Sequence, residues 1–108
     1  TLGTYEGKKK VIDIRGLVLD EDAKQVSVNG EPAKLTPIEY RIVELLMRNA
    51  GRVFSISEIY ELVWNEPGYN AENTVAVHIR KIREKIEINP KNPTYLKVVW
   101  GIGYKMEK

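Results

Sequence analysis

Cysteine is absent from the 108 residues, so neither a disulfide nor a thiolate metal site can form. That suits a cytoplasmic protein, where thiols stay reduced and disulfides are rare. Histidine occurs once, as His78, which excludes a histidine-rich metal centre. No apolar run approaches the ~20 residues of a membrane-spanning helix. Residues 1–10 lack the apolar core of a signal peptide. Catalytic constellations are missing too. There is no Ser/His/Asp set around motif glycines, no glycine-rich phosphate loop opening a helix, and no metal-ligand pair at i, i+4. The expectation is a protein without catalytic activity, cofactor or membrane partner.

What is present fits one folded domain. Hydrophobic residues make up 43% of the chain, enough for a single buried core. Net charge is only +2, but it is unevenly spread. Residues 1–68 hold 9 Lys/Arg against 11 Asp/Glu, whereas residues 69–108 hold 8 against 4. The C-terminal part therefore carries a positive field that attracts polyanions. Residues 1–10, ending in Lys8-Lys9-Lys10, read as the remnant of a linker, and residues 11–108 as the domain.

The local signals give an order of sheet, three helices and hairpin. Four short strands fill residues 11–35, broken by Gly16, by Glu21-Asp22-Ala23 and by Asn29-Gly30, a strong hairpin turn. Pro32 marks the last of them as an exposed edge. Thr36, Pro37 and Glu39 announce a first helix with a capping box, Leu35 and Tyr40 are placed as its staple, and Gly51 ends it. Its inner face is expected to hold Ile38, Ile42, Leu45, Leu46 and Asn49. Ser55 and Glu58 form a second capping box, and Ile56, Ile59, Tyr60 and Val63 the buried stripe that follows. Strand-like Arg52-Val53-Phe54 lies between these two helices. The spacing predicts a third helix from Glu72 to Ile88, with Val75, Ile79, Ile82 and Ile86 as one apolar stripe. Residues 36–88 thus form a three-helix core. Residues 95–107 read as a hairpin: a strand over residues 95–100, a tight turn at Gly101-Ile102-Gly103, and a returning strand.

At 100° per residue the third helix's apolar residues cluster within about 40° of Val75. The opposite side presents Asn73, Val77, Arg80, Lys81 and Glu84. Thr74, His78 and Lys85 flank it on one edge, Ala76 and Arg83 on the other. An α-helix fits the major groove of B-DNA, where Arg and Lys donate to guanine, Asn pairs with adenine and Val touches a thymine methyl. Arg80, Lys81, Arg83 and Lys85 also suit phosphates. The bland alternative is a solvated helix with ion pairs such as Arg80–Glu84. The helix alone does not separate the two.

At these residues the sequence resembles the effector domain of OmpR/PhoB-family response regulators. The matching pieces are residues 35–40 opening the first helix, Trp64 ending the second, residues 73–83 in the third, and residues 99–105 (Val-Trp-Gly-Ile-Gly-Tyr-Lys) in the hairpin. The last is most similar to the VanR-type subgroup. The resemblance implies an α+β winged helix-turn-helix: an N-terminal four-stranded antiparallel sheet, a three-helix core and a C-terminal β-hairpin wing. It implies double-stranded DNA bound at direct repeats, an upstream receiver domain with its sensor kinase, and a tandem dimer on DNA formed from a monomer or weak dimer. It also implies an RNA polymerase contact through Asn65, Glu66, Gly68, Tyr69 and Asn70.

Position by position, the resemblance places Thr74, His78 and Arg80 on the DNA backbone, Trp64 and Tyr104 against phosphates, and Val77 and Lys81 on bases. Lys81 stands where arginine is frequent, and Asn73 where a basic residue occurs. Trp100 stands where many members place a minor-groove arginine. Two readings of Trp100 remain, contact with DNA and packing of the wing on the core. A winged-helix module that binds protein instead of DNA is the competing function; its mark would be an apolar exposed face.

Overall fold

The computed structural model describes residues 10–68 and 71–108. Residues 1–9 of the linker remnant, Tyr69 and Asn70 lie outside those residues. Strands β1 (Val11–Ile14), β2 (Leu17–Asp20), β3 (Gln25–Val28) and β4 (Glu31–Ala33) form an antiparallel meander in that order. Asn29 and Gly30 both take positive φ, 50° and 87°, as a two-residue type I′ turn requires. Arg15 and Gly16 do the same between β1 and β2, at 49° and 98°. Ile14, Leu17, Leu19 and Val26 turn inward, and Pro32 sits on the sheet's edge strand.

Helix α1 (Pro37–Arg48) starts at the expected capping box. Thr36 Oγ1 accepts from the Glu39 amide at 3.2 Å, and Glu39 Oε1 accepts from the Thr36 amide at 3.0 Å. Its buried face is wider than the sequence spacing suggested. Tyr40, Ile42, Val43, Leu46 and Met47 are buried, whereas Ile38 and Leu45 are half-buried. The cause is that α1 packs between the other helices and both sheets, so more than one stripe is covered. The helix ends at Arg48, with Asn49 as its cap. Gly51 belongs to the following turn, where its amide donates to Met106 O at 2.8 Å.

Strand β5 (Phe54–Ser55) leads into α2 (Ile56–Trp64), whose capping box, Ser55 with Glu58, closes at 3.1 and 2.9 Å. Ile59 and Val63 form the buried stripe; Ile56 and Tyr60 are half-buried. Helix α3 (Glu72–Ile86) buries Val75, Ile79, Ile82 and Ile86 as the spacing requires. It ends two residues short of the expected Ile88, because Glu87 turns extended and serves the chain that follows. The Glu87 carboxylate accepts from the amides of Thr94 at 2.7 Å, Tyr95 at 3.0 Å and Leu96 at 2.8 Å. Ile88 is left exposed.

The C-terminal hairpin, β6 (Leu96–Val99) and β7 (Gly103–Met106), pairs with β5 in the order β5-β7-β6. The short segment before α2 is thus part of the wing's sheet. Its paired residues are 54 and 55, not 52 to 54. Gly103 opens β7 rather than closing the turn, which spans residues 100–102. A Cβ on Gly103 would lie 1.9 Å from Phe54 O, so β5 and β7 approach at a distance only glycine permits.

Candidate nucleic-acid interface

The buried stripe of α3 faces the core, so the reverse of that helix is the surface it offers. Asn73, Ala76, Val77, Arg80, Lys81 and Glu84 are exposed there. Among the described residues Arg80 and Lys81 have no ion-pair partner, and Arg80–Glu84 does not form. The face is thus solvated rather than ion-paired among the described residues, which a plain surface helix and a DNA-reading helix share. Two cations, a carboxamide and a short apolar side chain stand together in solvent.

The edges of the face differ from expectation. Lys85 is engaged within the protein: its Nζ donates to Glu39 Oε1 at 2.6 Å. Glu39 is 2% exposed. Burial opposes its ionisation, but the Lys85 ammonium and the Thr36 amide outweigh burial and hold the carboxyl below its ordinary value. Read from sequence, Glu39 was a helix cap; in the fold it is also the acceptor for α3. Arg83 is likewise engaged. Its Nε and Nη2 donate to Leu96 O at 3.1 and 3.0 Å, and its guanidinium lies 5.7 Å from the centre of the Tyr104 ring.

His78 and Trp64 form a small cluster. Trp64 stacks on Tyr60 at 4.9 Å and meets His78 edge-on at 5.1 Å. His78 Nδ1 lies 2.7 Å from Thr74 O. A carbonyl only accepts, so Nδ1 carries the proton and the other ring nitrogen is an acceptor while the ring is neutral. A neutral His78 therefore gives a phosphate no ring donor on that side. Trp64 and Thr74 are half-buried at the same edge.

Across from α3 stands the wing. Trp100 is 87% exposed, so the packing reading of that residue is corrected: the indole does not rest on the core. Tyr104 is half-buried and pairs with Val98 and Phe54 in the sheet. Between the start of α3 and the wing runs a groove of about 590 Å³. Its walls include Ser55 and Ser57 of the α2 start, Asn73, Trp100, Ile102 and Tyr104. The serines and Ile102 were not among the expected site residues. Ser55 was already explained as a cap, and its second position beside the wing depends on pairing between β5 and β7. The loop from Asn65 begins with a left-handed residue, Asn65 at φ 60°, and Asn65 and Glu66 are exposed. Its Gly68 amide donates to Glu61 at 3.3 Å. Among the described residues no cluster of three His, Cys, Asp or Glu could hold a metal, and no helix is long and apolar enough to cross a membrane.

Comparison with known proteins gives consistent matches. The family profile described as "Transcriptional regulatory protein, C terminal" matches residues 30–106. The chain is 45% identical over 97 residues to the uncharacterized transcriptional regulatory protein YcbL of Bacillus subtilis, covering 90% of this chain and 43% of that protein. It is 37% identical over 107 residues to the regulatory protein VanR of Enterococcus faecium, covering 98% and 46%. Among solved structures it superimposes on the response regulator DrrB of Thermotoga maritima, an OmpR/PhoB homologue, with a TM-score of 0.84. Identity there is 30%, covering 97% of this chain and 48% of DrrB. The chain spans less than half the length of these relatives.

Proposed function

The chain belongs to the family of C-terminal domains of transcriptional regulatory proteins, with the winged-helix fold of OmpR/PhoB response regulators, and from that membership we propose that it binds double-stranded DNA sequence-specifically as the output domain of a two-component regulator. The carrying observation is the exposed back of α3, where Arg80 and Lys81 stand beside Asn73 and Val77 without protein partners among the described residues. A major groove accepts that helix, with Lys81 and Val77 toward base edges and Arg80 toward phosphate. A duplex that holds α3 in one groove and the wing in the next must pass a phosphate strand between them. The groove lined by Ser55, Ser57, Asn73 and Tyr104 supplies hydroxyl and amide groups along that path.

We propose the finer parts by likeness to the family: direct repeats in a promoter, a tandem dimer on DNA, and a cytoplasmic regulator whose receiver domain answers a sensor kinase. RNA polymerase contact by Asn65, Glu66 and Gly68 is part of the same proposal; Tyr69 and Asn70 complete that loop outside the described residues. A protein-binding α3 is disfavoured, because its exposed face carries only Ala76 and Val77 as apolar groups.

Selection of binding sites from a random duplex pool tests the reading, with recovery of a direct repeat expected. Lys81→Ala is then expected to weaken the selected site by ~1–3 kcal/mol and to relax one base position. Equal loss on selected and random duplex would remove Lys81 from the base contacts.

A further inference from the structure

The wing's tip is built for apolar contact. From Val98 to Tyr104 it carries no charged side chain. Three of its side chains are nevertheless in solvent: Trp100 at 87%, Ile102 at 59% and Val98 at 36%. Trp100 and Ile102 flank Gly101, whose φ of +80° makes the turn, and the Ile102 amide closes it on Val99 O at 3.0 Å. Two large apolar groups are thus held side by side on a tight, hydrogen-bonded point. Exposing them costs free energy in the isolated domain, and nothing in the core recovers it.

The base of the wing is tied to the C-terminal end of α3. Arg83 binds the Leu96 carbonyl and Glu87 the Leu96 amide, so one helix holds both backbone groups of the residue that starts β6. The groove that joins the α3 start to the wing is lined at one end by Asn73 and at the other by Trp100 and Ile102. The tip therefore continues the surface assigned to DNA. At the hairpin's base Lys97 stands directly opposite Lys105, whose ammonium meets Glu107 at 3.1 Å.

We propose that Trp100, backed by Ile102, is a wedge that enters the minor groove beside the α3 site and stacks into a base step, kinking the duplex. This rests on the DNA-binding reading. A tip without a cation gains little from the minor groove's negative potential, which makes stacking of the exposed indole the main contact it offers. Its preferred targets are flexible pyrimidine–purine steps, which unstack at low cost. A step the wedge opens contributes to sequence preference without a hydrogen bond to any base.

The test uses the duplex recovered by pool selection, labelled at its ends for energy transfer and carrying 2-aminopurine next to the α3 site. The 108-residue chain is expected to bend this duplex by roughly 20° or more and to brighten the 2-aminopurine. Trp100→Ala is expected to abolish both signals and to weaken binding about 5- to 100-fold, the scale of one base–aromatic stack. Trp100→Arg is expected to regain affinity at low salt with a steeper salt dependence, yet not the bend. Because Trp100 is so exposed, unchanged thermal unfolding of both variants is the folding control. A Trp100→Ala protein that binds and bends like the parent overturns the wedge and leaves DNA binding intact. Self-association lost in Trp100→Ala, with DNA affinity unchanged, makes the tip a protein interface and also overturns it. If the parent binds no duplex, the DNA-binding reading falls and the wedge with it.

Discussion

Lys85 shows how a single residue's role depends on a partner far along the chain. Its ammonium meets Glu39, 46 residues away, inside the joint between α1 and α3. Removing one member of such a pair leaves the other charge buried. Lys85→Ala is expected to cost about 1–3 kcal/mol, less than for a fully enclosed pair because a third of the Lys85 side chain meets water. Chemical denaturation checks this. The same variant is expected to leave the salt dependence of DNA binding unchanged, whereas Arg80→Ala flattens the log–log slope by about 1. Glu39 also sets a pH signature. Its folded pKa lies below its unfolded value, so its contribution is present above the ordinary 4.5 and fades as pH falls through the lowered folded value. The stability gap between parent and Lys85→Ala is therefore expected to narrow as the medium is acidified below about 4.5. A gap that stays constant down to pH 3 would disprove the ionised pair.

At the level of elements, the starts of α1 and α2 were legible and the end of α3 was not. Capping boxes are contacts three residues apart, and both close as the local sequence requires. The C-terminus of α3 is set by the Glu87 carboxylate, whose acceptor role engages amides seven to nine residues later. Asn89-Pro90 is the nearest local stop signal, and Ile88, about 140° from Val75, lies off the apolar stripe. Glu87→Ala is expected to cost about 2–4 kcal/mol, since two of the abandoned amides, at Tyr95 and Leu96, are buried. Hydrogen exchange at Thr94, Tyr95 and Leu96 is expected to quicken more than exchange within α3. Uniform quickening would show that the carboxylate supports the whole fold and not the wing's attachment.

Over the whole molecule, the N-terminal sheet and the wing are joined through one corner. Tyr95 Oη donates to Arg15 O at 2.8 Å, and Arg15 Nη2 reaches Thr94 O at 3.2 Å and Glu107 O at 3.4 Å. Tyr95→Phe is expected to cost about 1 kcal/mol in stability. DNA affinity is expected to stay unchanged, because the corner is remote from the exposed back of α3. The C-terminal excess of cations overstated the surface available to a polyanion. Lys85 and Lys105 meet carboxylates and Arg83 meets a carbonyl, which leaves Arg80 and Lys81 as the cations on the back of α3.

From the amino-acid order alone came the strands, the two capped helices, the apolar stripe of α3 and the likeness to a regulator's output domain. These depend on neighbours within one or two turns or on a fixed periodicity, and short-range sterics and hydrogen bonding decide them. Tertiary packing decided which cations of α3 reach solvent, where that helix stops, that β5 joins the wing, and that Trp100 points outward. The first three turn on partners beyond the local repeat, and Trp100 points outward because the fold packs nothing over it. Local propensity does not register a carboxylate or carbonyl that only folding brings within 3 Å.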